Sequence, residues 1–159
     1  MATITSTLKA ATGNSKRGRA PYMVENTIDL TAQAVSSTGA DVVQAITVPA
    51  NTKIIAAGFQ VVESATMNTG TNATATLGTV DADEYVTAFD IDGAADGAYA
   101  PSVTVSADLV SATADTLDLT FAGDGATYTA GKLRVYAVMM DVSEQGDTTA
   151  NEVDRDTLA

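Results

Sequence analysis

The sequence predicts an all-β protein, an antiparallel β-sandwich or jelly roll of about eight strands with an extended N-terminal arm. Three observations predict it. Short runs of alternating apolar and polar residues follow one another about ten residues apart. Residues that favour turns separate them, and no period of 20 to 50 residues marks a propeller or solenoid. The apolar fraction of 45% is built from small residues, with 29 Ala and 25 Thr against 3 Phe and no Trp. That alanine is interleaved with Thr, Val, Gly and Asp, and β-branched Thr and Val suit a pleated surface.

Residues 1–24 lack hydrophobic periodicity and end in Gly18-Arg19-Ala20-Pro21-Tyr22, which predicts an extended arm. The expected strands are then Thr27–Gln33, Val42–Val48, Lys53–Glu63, Ala73–Thr79, Glu84–Asp92, Ser102–Ala107, Thr116–Phe121 and Lys132–Val142. Between them lie Ser36-Ser-Thr-Gly39, Pro49-Ala-Asn51, Asn68-Thr-Gly-Thr-Asn72, Asp92-Gly93, Asp96-Gly97, Pro101 and Gly123-Asp-Gly125. The organisation expected is a basic arm over 1–24, a sandwich over 25–142 and an acidic polar tail over 143–159.

Alternation assigns the inward faces. Leu133, Val135, Ala137 and Met139 share one side of the last strand; Leu117, Leu119 and Phe121 oppose Asp118 and Thr120 in the one before. The third run is apolar on both sides, with Ile55, Ala57, Phe59 and Val61 on one and Ile54, Ala56 and Val62 on the other. Val138 and Met140 make the last strand similarly two-sided. A strand that is apolar on both faces is central or belongs to a subunit interface, so Ile54, Val62, Val138 and Met140 are the expected oligomer contacts.

Composition excludes whole classes of chemistry. The chain has no His and no Cys, which removes a histidine general base, a His-ligated zinc, a cysteine nucleophile and any disulfide. No phosphate-cradling glycine motif and no Gly-x-Ser-x-Gly occur. A net charge of −12 opposes broad contact with nucleic acid, which requires cations to displace counterions. No stretch approaches the length of a membrane helix or a signal-peptide core, so no membrane partner and synthesis in a cytoplasm are expected.

The charge is unevenly placed. Lys9, Lys16, Arg17 and Arg19 precede any acid, leaving Lys53, Lys132, Arg134 and Arg155 to set against all 20 acids. A basic arm on an acidic body suggests an arm that docks on an anionic surface while the body faces water. Lys9, Lys16, Arg17, Arg19, Pro21 and Tyr22 are the expected arm contacts.

Carboxylates are the abundant titratable groups. Asp90-Ile-Asp92-Gly93-Ala-Ala-Asp96 begins like a calcium loop, but Ala94 and Ala95 stand where a third ligand and the glycine are expected. Turn chemistry at the Asp-Gly steps is the preferred reading of Asp90, Asp92 and Asp96, with calcium the alternative. No cofactor and no enzymatic activity are expected.

The Thr47-Val-Pro-Ala-Asn-Thr52 turn into Ile54-Ile-Ala-Ala-Gly58, the Ala75-Thr-Leu-Gly78 strand, Asp81-Ala-Asp-Glu-Tyr85 and the closing Ala130-Gly-Lys-Leu-Arg-Val-Tyr-Ala137 strand together resemble tailed-bacteriophage capsid decoration, or cement, proteins. The resemblance spans residues 27–142 and lies in style and strand order. It implies a β-sandwich body, a homotrimer, and a place on the capsid exterior bridging neighbouring major capsid protein subunits. It carries no catalytic residues. A different class remains open, a phage tail, fibre or surface adhesin module that binds a host glycan or protein through loops at Asn68–Asn72 and Asp92–Pro101.

Overall fold

The computed structural model describes residues 3–9, as backbone, together with 21–36, 41–100, 110–124 and 127–142. Nine strands are described: β1 (Thr3–Lys9), β2 (Tyr22–Asp29), β3 (Val42–Val48), β4 (Thr52–Met67), β5 (Ala73–Gly78), β6 (Val86–Asp90), β7 (Val110–Ser111), β8 (Asp115–Gly123) and β9 (Tyr128–Asp141). They form a five-stranded sheet in the order β1-β3-β8-β5-β6 and a four-stranded sheet in the order β2-β9-β4-β7. Every pairing is antiparallel except β1 with β3. Successive described strands switch sheets at almost every step, and among them β5–β6 is the one hairpin within a sheet. The expected β-sandwich is the fold observed.

Core packing follows the alternation. Leu117, Leu119 and Phe121 of β8 and Leu133, Val135, Ala137 and Met139 of β9 are fully buried, and Ala45, Ala73 and Ala75 fill the space between larger side chains. Sheets that pack about 10 Å apart leave room for one interdigitated layer, which small residues fill without many aromatics. Phe59 meets Phe89 and Phe121 meets Tyr128 edge to face, with centroids 5.8 and 5.9 Å apart. Buried Asn26 of β2 donates from Nδ2 to the Ala45 carbonyl of β3 at 2.9 Å, a polar tie between the two sheets.

Three expectations change. The run expected from Thr27 to Gln33 is a strand only to Asp29, and the strand begins at Tyr22, within the expected arm. It stops because Asp29 Oδ1 accepts from the Thr31 and Ala32 amides and the Thr31 hydroxyl, turning the chain. Residues 3–9, assigned wholly to the arm, form β1 on the edge of the five-stranded sheet. Ile54 does not share a side with Ala56. It pairs with Met139 and is buried, 4% exposed, whereas Ile55 is 42% exposed. The register slips between Ile54 and Ala56, and one extra residue in a strand exchanges its faces. Ile54 is therefore a core residue of the single chain and is removed from the expected oligomer contacts. The run expected over 102–107 lies outside the described residues.

A second irregularity bends the same pair. Between Glu63↔Lys132 and Thr66↔Ala130 the two residues Ser64 and Ala65 oppose the single residue Gly131. Gly131 has φ 135°, and a Cβ there would lie 2.8 Å from Leu30 Cδ1 and 3.0 Å from Ala65 Cα. Glycine is required at this bulge by both backbone and space.

Candidate docking face

The outward side of the four-stranded sheet is set by alternation in β2 and β9. Residues 22, 24, 26 and 28 of β2 and 133, 135, 137 and 139 of β9 point inward, leaving Met23, Glu25, Thr27 and Asp29 beside Val138, Tyr136, Arg134 and Lys132 on the outside. β4 completes the rows with Lys53 beside Met140, Ala56 beside Val138, Gly58 beside Tyr136, Gln60 beside Arg134 and Glu63 beside Lys132. One end is apolar and carries Met23, 60% exposed, with Ile55, Val138, Met140 and Val110 of β7. The other end is charged. Lys132 Nζ donates to Glu63 Oε2 at 2.5 Å across the half-exposed surface, and the contact with Glu63 raises the lysine pKa.

Residues 97–100 add to the β4 edge. The Gly97 amide donates to the Val61 carbonyl at 2.7 Å, the Val61 amide to Ala98 at 2.8 Å, and the Ala100 amide to Phe59 at 3.0 Å. Backbone pairing alone places Tyr99, 60% exposed, edge-on to Tyr136 with centroids 6.3 Å apart. Tyr136 in turn lies over Gly58, where a Cβ would stand 2.6 Å from its hydroxyl. An aromatic ring covering a cross-strand glycine restores packing that the strand would otherwise lack. Alternation could not have found this segment, because Gly-Ala-Tyr-Ala carries no two-residue apolar pattern.

Of the expected oligomer contacts, Val138 and Met140 lie on this face and are half-buried, and Val62 is half-buried where the register slips between Val61 and Glu63. The expected arm contacts separate. Lys9 ends β1, Pro21 is exposed, and Tyr22 opens β2 with its ring against the core, where burial raises its pKa. Lys16, Arg17 and Arg19 lie outside the described residues.

The candidate calcium ligands are occupied by backbone. Asp90 Oδ1 accepts from the Gly93 amide at 2.7 Å, Asp92 Oδ1 from Ala73 at 2.7 Å, and Asp96 Oδ1 from Ser64 at 2.8 Å. The Gly93 amide holds the Asp90 carboxyl below its ordinary value. Among the described residues no group of three Asp or Glu side chains could hold a metal ion; the Asp90 bond closes a local turn, whereas Asp92 and Asp96 tie the loop to β5 and β4, and of the two Asp-Gly steps only Gly97 has positive φ, 90°. The loop over Asn68–Asn72 is pinned in the same way, with Asp124 accepting from the Thr71 and Asn72 amides and the Asn72 side chain.

The outward side of the five-stranded sheet contrasts with the docking face. It presents Thr74 and Thr76 of β5, Thr116, Asp118 and Thr120 of β8 and Gln44 of β3, with no cation among the described side chains. Burial raises the Asp118 pKa, the Thr116 hydroxyl opposes that shift and Asp115 adds to it.

No protein-family model and no curated protein matches the sequence. Solved structures do match the fold. A chain of the cyanophage Pam1 capsid asymmetric unit superposes with a TM-score of 0.61 at 18% identity, over 82% of this chain and 98% of that one. A chain of the capsid of Ralstonia phage GP4 superposes with a TM-score of 0.64 at 17% identity, over 92% of this chain and 100% of that one. The two-sheet fold of this protein is therefore shared, over nearly their whole length, by chains found in two phage capsids.

Proposed function

We propose that this chain is a structural, non-enzymatic protein of a tailed-phage head that binds the outside of the shell and clamps neighbouring major capsid protein subunits. The observation that carries the reading is the fold likeness to two capsid chains, which extends over almost all of each. The residues supply a physical rationale. A shell filled with packed DNA fails at the joints between its subunits, and a protein bridging those joints resists opening through binding energy alone. A sandwich with no His and no Cys and with its loop carboxylates committed to backbone amides is suited to bearing load. The basic stretch Lys16-Arg17-Gly18-Arg19 ahead of β2 would meet carboxylates on the shell. If the body is a trimer, as the resemblance implies, three such stretches act together and raise effective concentration.

The test is co-sedimentation of the purified full chain with empty heads of the source phage. Saturable binding, with heads surviving heating or chelation that opens bare ones, is the expected result. Charge reversal of Lys16, Arg17 and Arg19 is expected to weaken binding about tenfold or more, as loss of several partly desolvated charge pairs does. Deleting the segment is a poorer test, since residues 3–9 pair with β3. Absence of binding to heads, with binding to host cells instead, would overturn the reading in favour of an adhesin module.

A further inference from the structure

We infer that the outward side of the four-stranded sheet is the surface that sits on the shell, and that it recognises an apolar protein patch flanked by carboxylates. The inference rests on the clamp reading and adds which face carries it.

Lys53, Lys132 and Arg134 are all the Lys and Arg whose side chains are described, and all three lie on this face although Lys132 and Arg134 stand 79 and 81 positions after Lys53 in sequence. The strand pairing gathers them. Three carboxylates, Glu25, Asp29 and Glu63, lie on the same side, and Asp141 closes β9 opposite Thr52, next to Lys53. In a protein of net charge −12, this is the side that an acidic partner can approach without like-charge repulsion. Arg134 is exposed and stands between Thr27 and Gln60, with no ion-pair partner among the described residues. A planar guanidinium in that position favours bidentate pairing with a carboxylate.

In sequence, Lys16, Arg17 and Arg19 stand shortly ahead of Tyr22, where β2 begins beside Met139 at the apolar end of this sheet.

In size, β2, β9 and β4 about 4.8 Å apart over the eight residues of β2 at about 3.3 Å each give roughly 400 Å² of flat surface, about half of the ~800 Å² per partner of a specific interface, and β7 and residues 97–100 extend it at the β4 edge. Met23, Ile55 and Val138 sit at one end, where they can be covered and Lys53 borders them, and Lys132, Glu63 and Arg134 lie toward the other, where charge sets orientation.

Co-sedimentation of full-length variants with empty heads tests the inference, with sedimentation velocity on each variant alone. Val138→Asp is expected to weaken head binding about 30-fold or more, the size of losing a buried anchor. Arg134→Glu is expected to weaken it about tenfold, and Val80→Asp, on the opposite sheet's turn, by less than twofold. Arg134 is exposed, so its variant keeps the test meaningful even if Val138→Asp does not fold. Wild-type binding to heads with both face variants undiminished overturns the face while leaving the clamp reading intact. Loss of head binding together with a drop in oligomer size also overturns it, because the face then joins copies of this chain. Failure of the wild type to bind heads removes the clamp reading and this inference with it.

Discussion

Replacing Gly131 by alanine should be among the most damaging single-methyl changes in this protein. Two costs combine at the site. At φ 135° a side-chain-bearing residue is strained by about 1–3 kcal/mol. The new Cβ would also stand 2.8 Å from Leu30 Cδ1 and 3.0 Å from Ala65 Cα. Leu30 is fully buried and Ala65 is backbone, so neither yields without disturbing the core, and overpacking of that kind costs a further 1–3 kcal/mol or so. The expected loss is about 2–6 kcal/mol, or roughly 4–24 °C in Tm for a domain of this size. Gly97→Ala is the internal control. Gly97 has φ 90° but nothing within 4 Å of its would-be Cβ, so it reports backbone strain alone, about 1–2 kcal/mol. Urea unfolding followed by circular dichroism gives both values, and an unchanged m-value establishes that the native state is being compared. If Gly131→Ala is no more destabilising than Gly97→Ala, the contacts with Leu30 and Ala65 do not constrain the bulge and the steric reasoning is wrong.

Asn26→Leu should cost about 1–3 kcal/mol by urea unfolding, because it leaves the Ala45 carbonyl without the donor it has at 2.9 Å in a buried setting. Ala34→Gly should stabilise by about 0.5–1 kcal/mol, since Ala34 holds φ 50°, where relief of left-handed strain exceeds the added chain entropy of glycine. Asp118→Asn should stabilise at pH 7 by up to about 1 kcal/mol, discounted for its half-exposed position. Its folded pKa is raised, chiefly by burial, so the native state holds the proton more tightly and stability falls as pH rises from the ordinary carboxylate value through the raised one. The variant's advantage should therefore vanish below about pH 3, and an advantage that persists there would assign the effect to something other than ionisation. Asp29 and Asp90 carry the opposite sign, their lowered values giving stability that is lost as pH falls.

How much of this was legible depended on whether side chains or backbone carried the information. β3 was placed residue for residue and β8 within two, because Val-x-x-Ala-Ile-x-Val and Leu-Asp-Leu-Thr-Phe alternate between bracketing turn residues. Ile54 and Ile55 defeated the same reasoning, since two adjacent isoleucines fit either face and only the slip opposite Met139 and Val138 decides between them. β1 and the 97–100 edge were missed because main-chain hydrogen bonds hold them. Half of the docking face was within reach: Lys132 and Arg134 alternate with Leu133 and Val135, which fixes them outward. That β4 lies beside β9 and brings Lys53 to the same side is a fact of topology, and sequence separation hides it.

The segregation of charge has a consequence for salt that distinguishes this face from a simple basic clamp. The two sheets stand about 10 Å apart. At roughly 0.01 M ionic strength the screening length is about 30 Å, so an acidic partner on the docking face still experiences carboxylates of the five-stranded sheet such as Asp118 of β8. At roughly 0.15 M it is about 8 Å, and the partner then responds mainly to the neutral, apolar near side and to Arg134. Head binding should consequently strengthen between these two conditions and weaken again toward 1 M, where a ~3 Å screening length removes the contribution of the guanidinium. A clamp held only by the cations of residues 9–19 would instead weaken steadily with salt from the lowest concentration upward, as counterion release requires. A binding isotherm at three salt concentrations separates the two, and a monotonic loss of affinity would move the docking surface away from the four-stranded sheet.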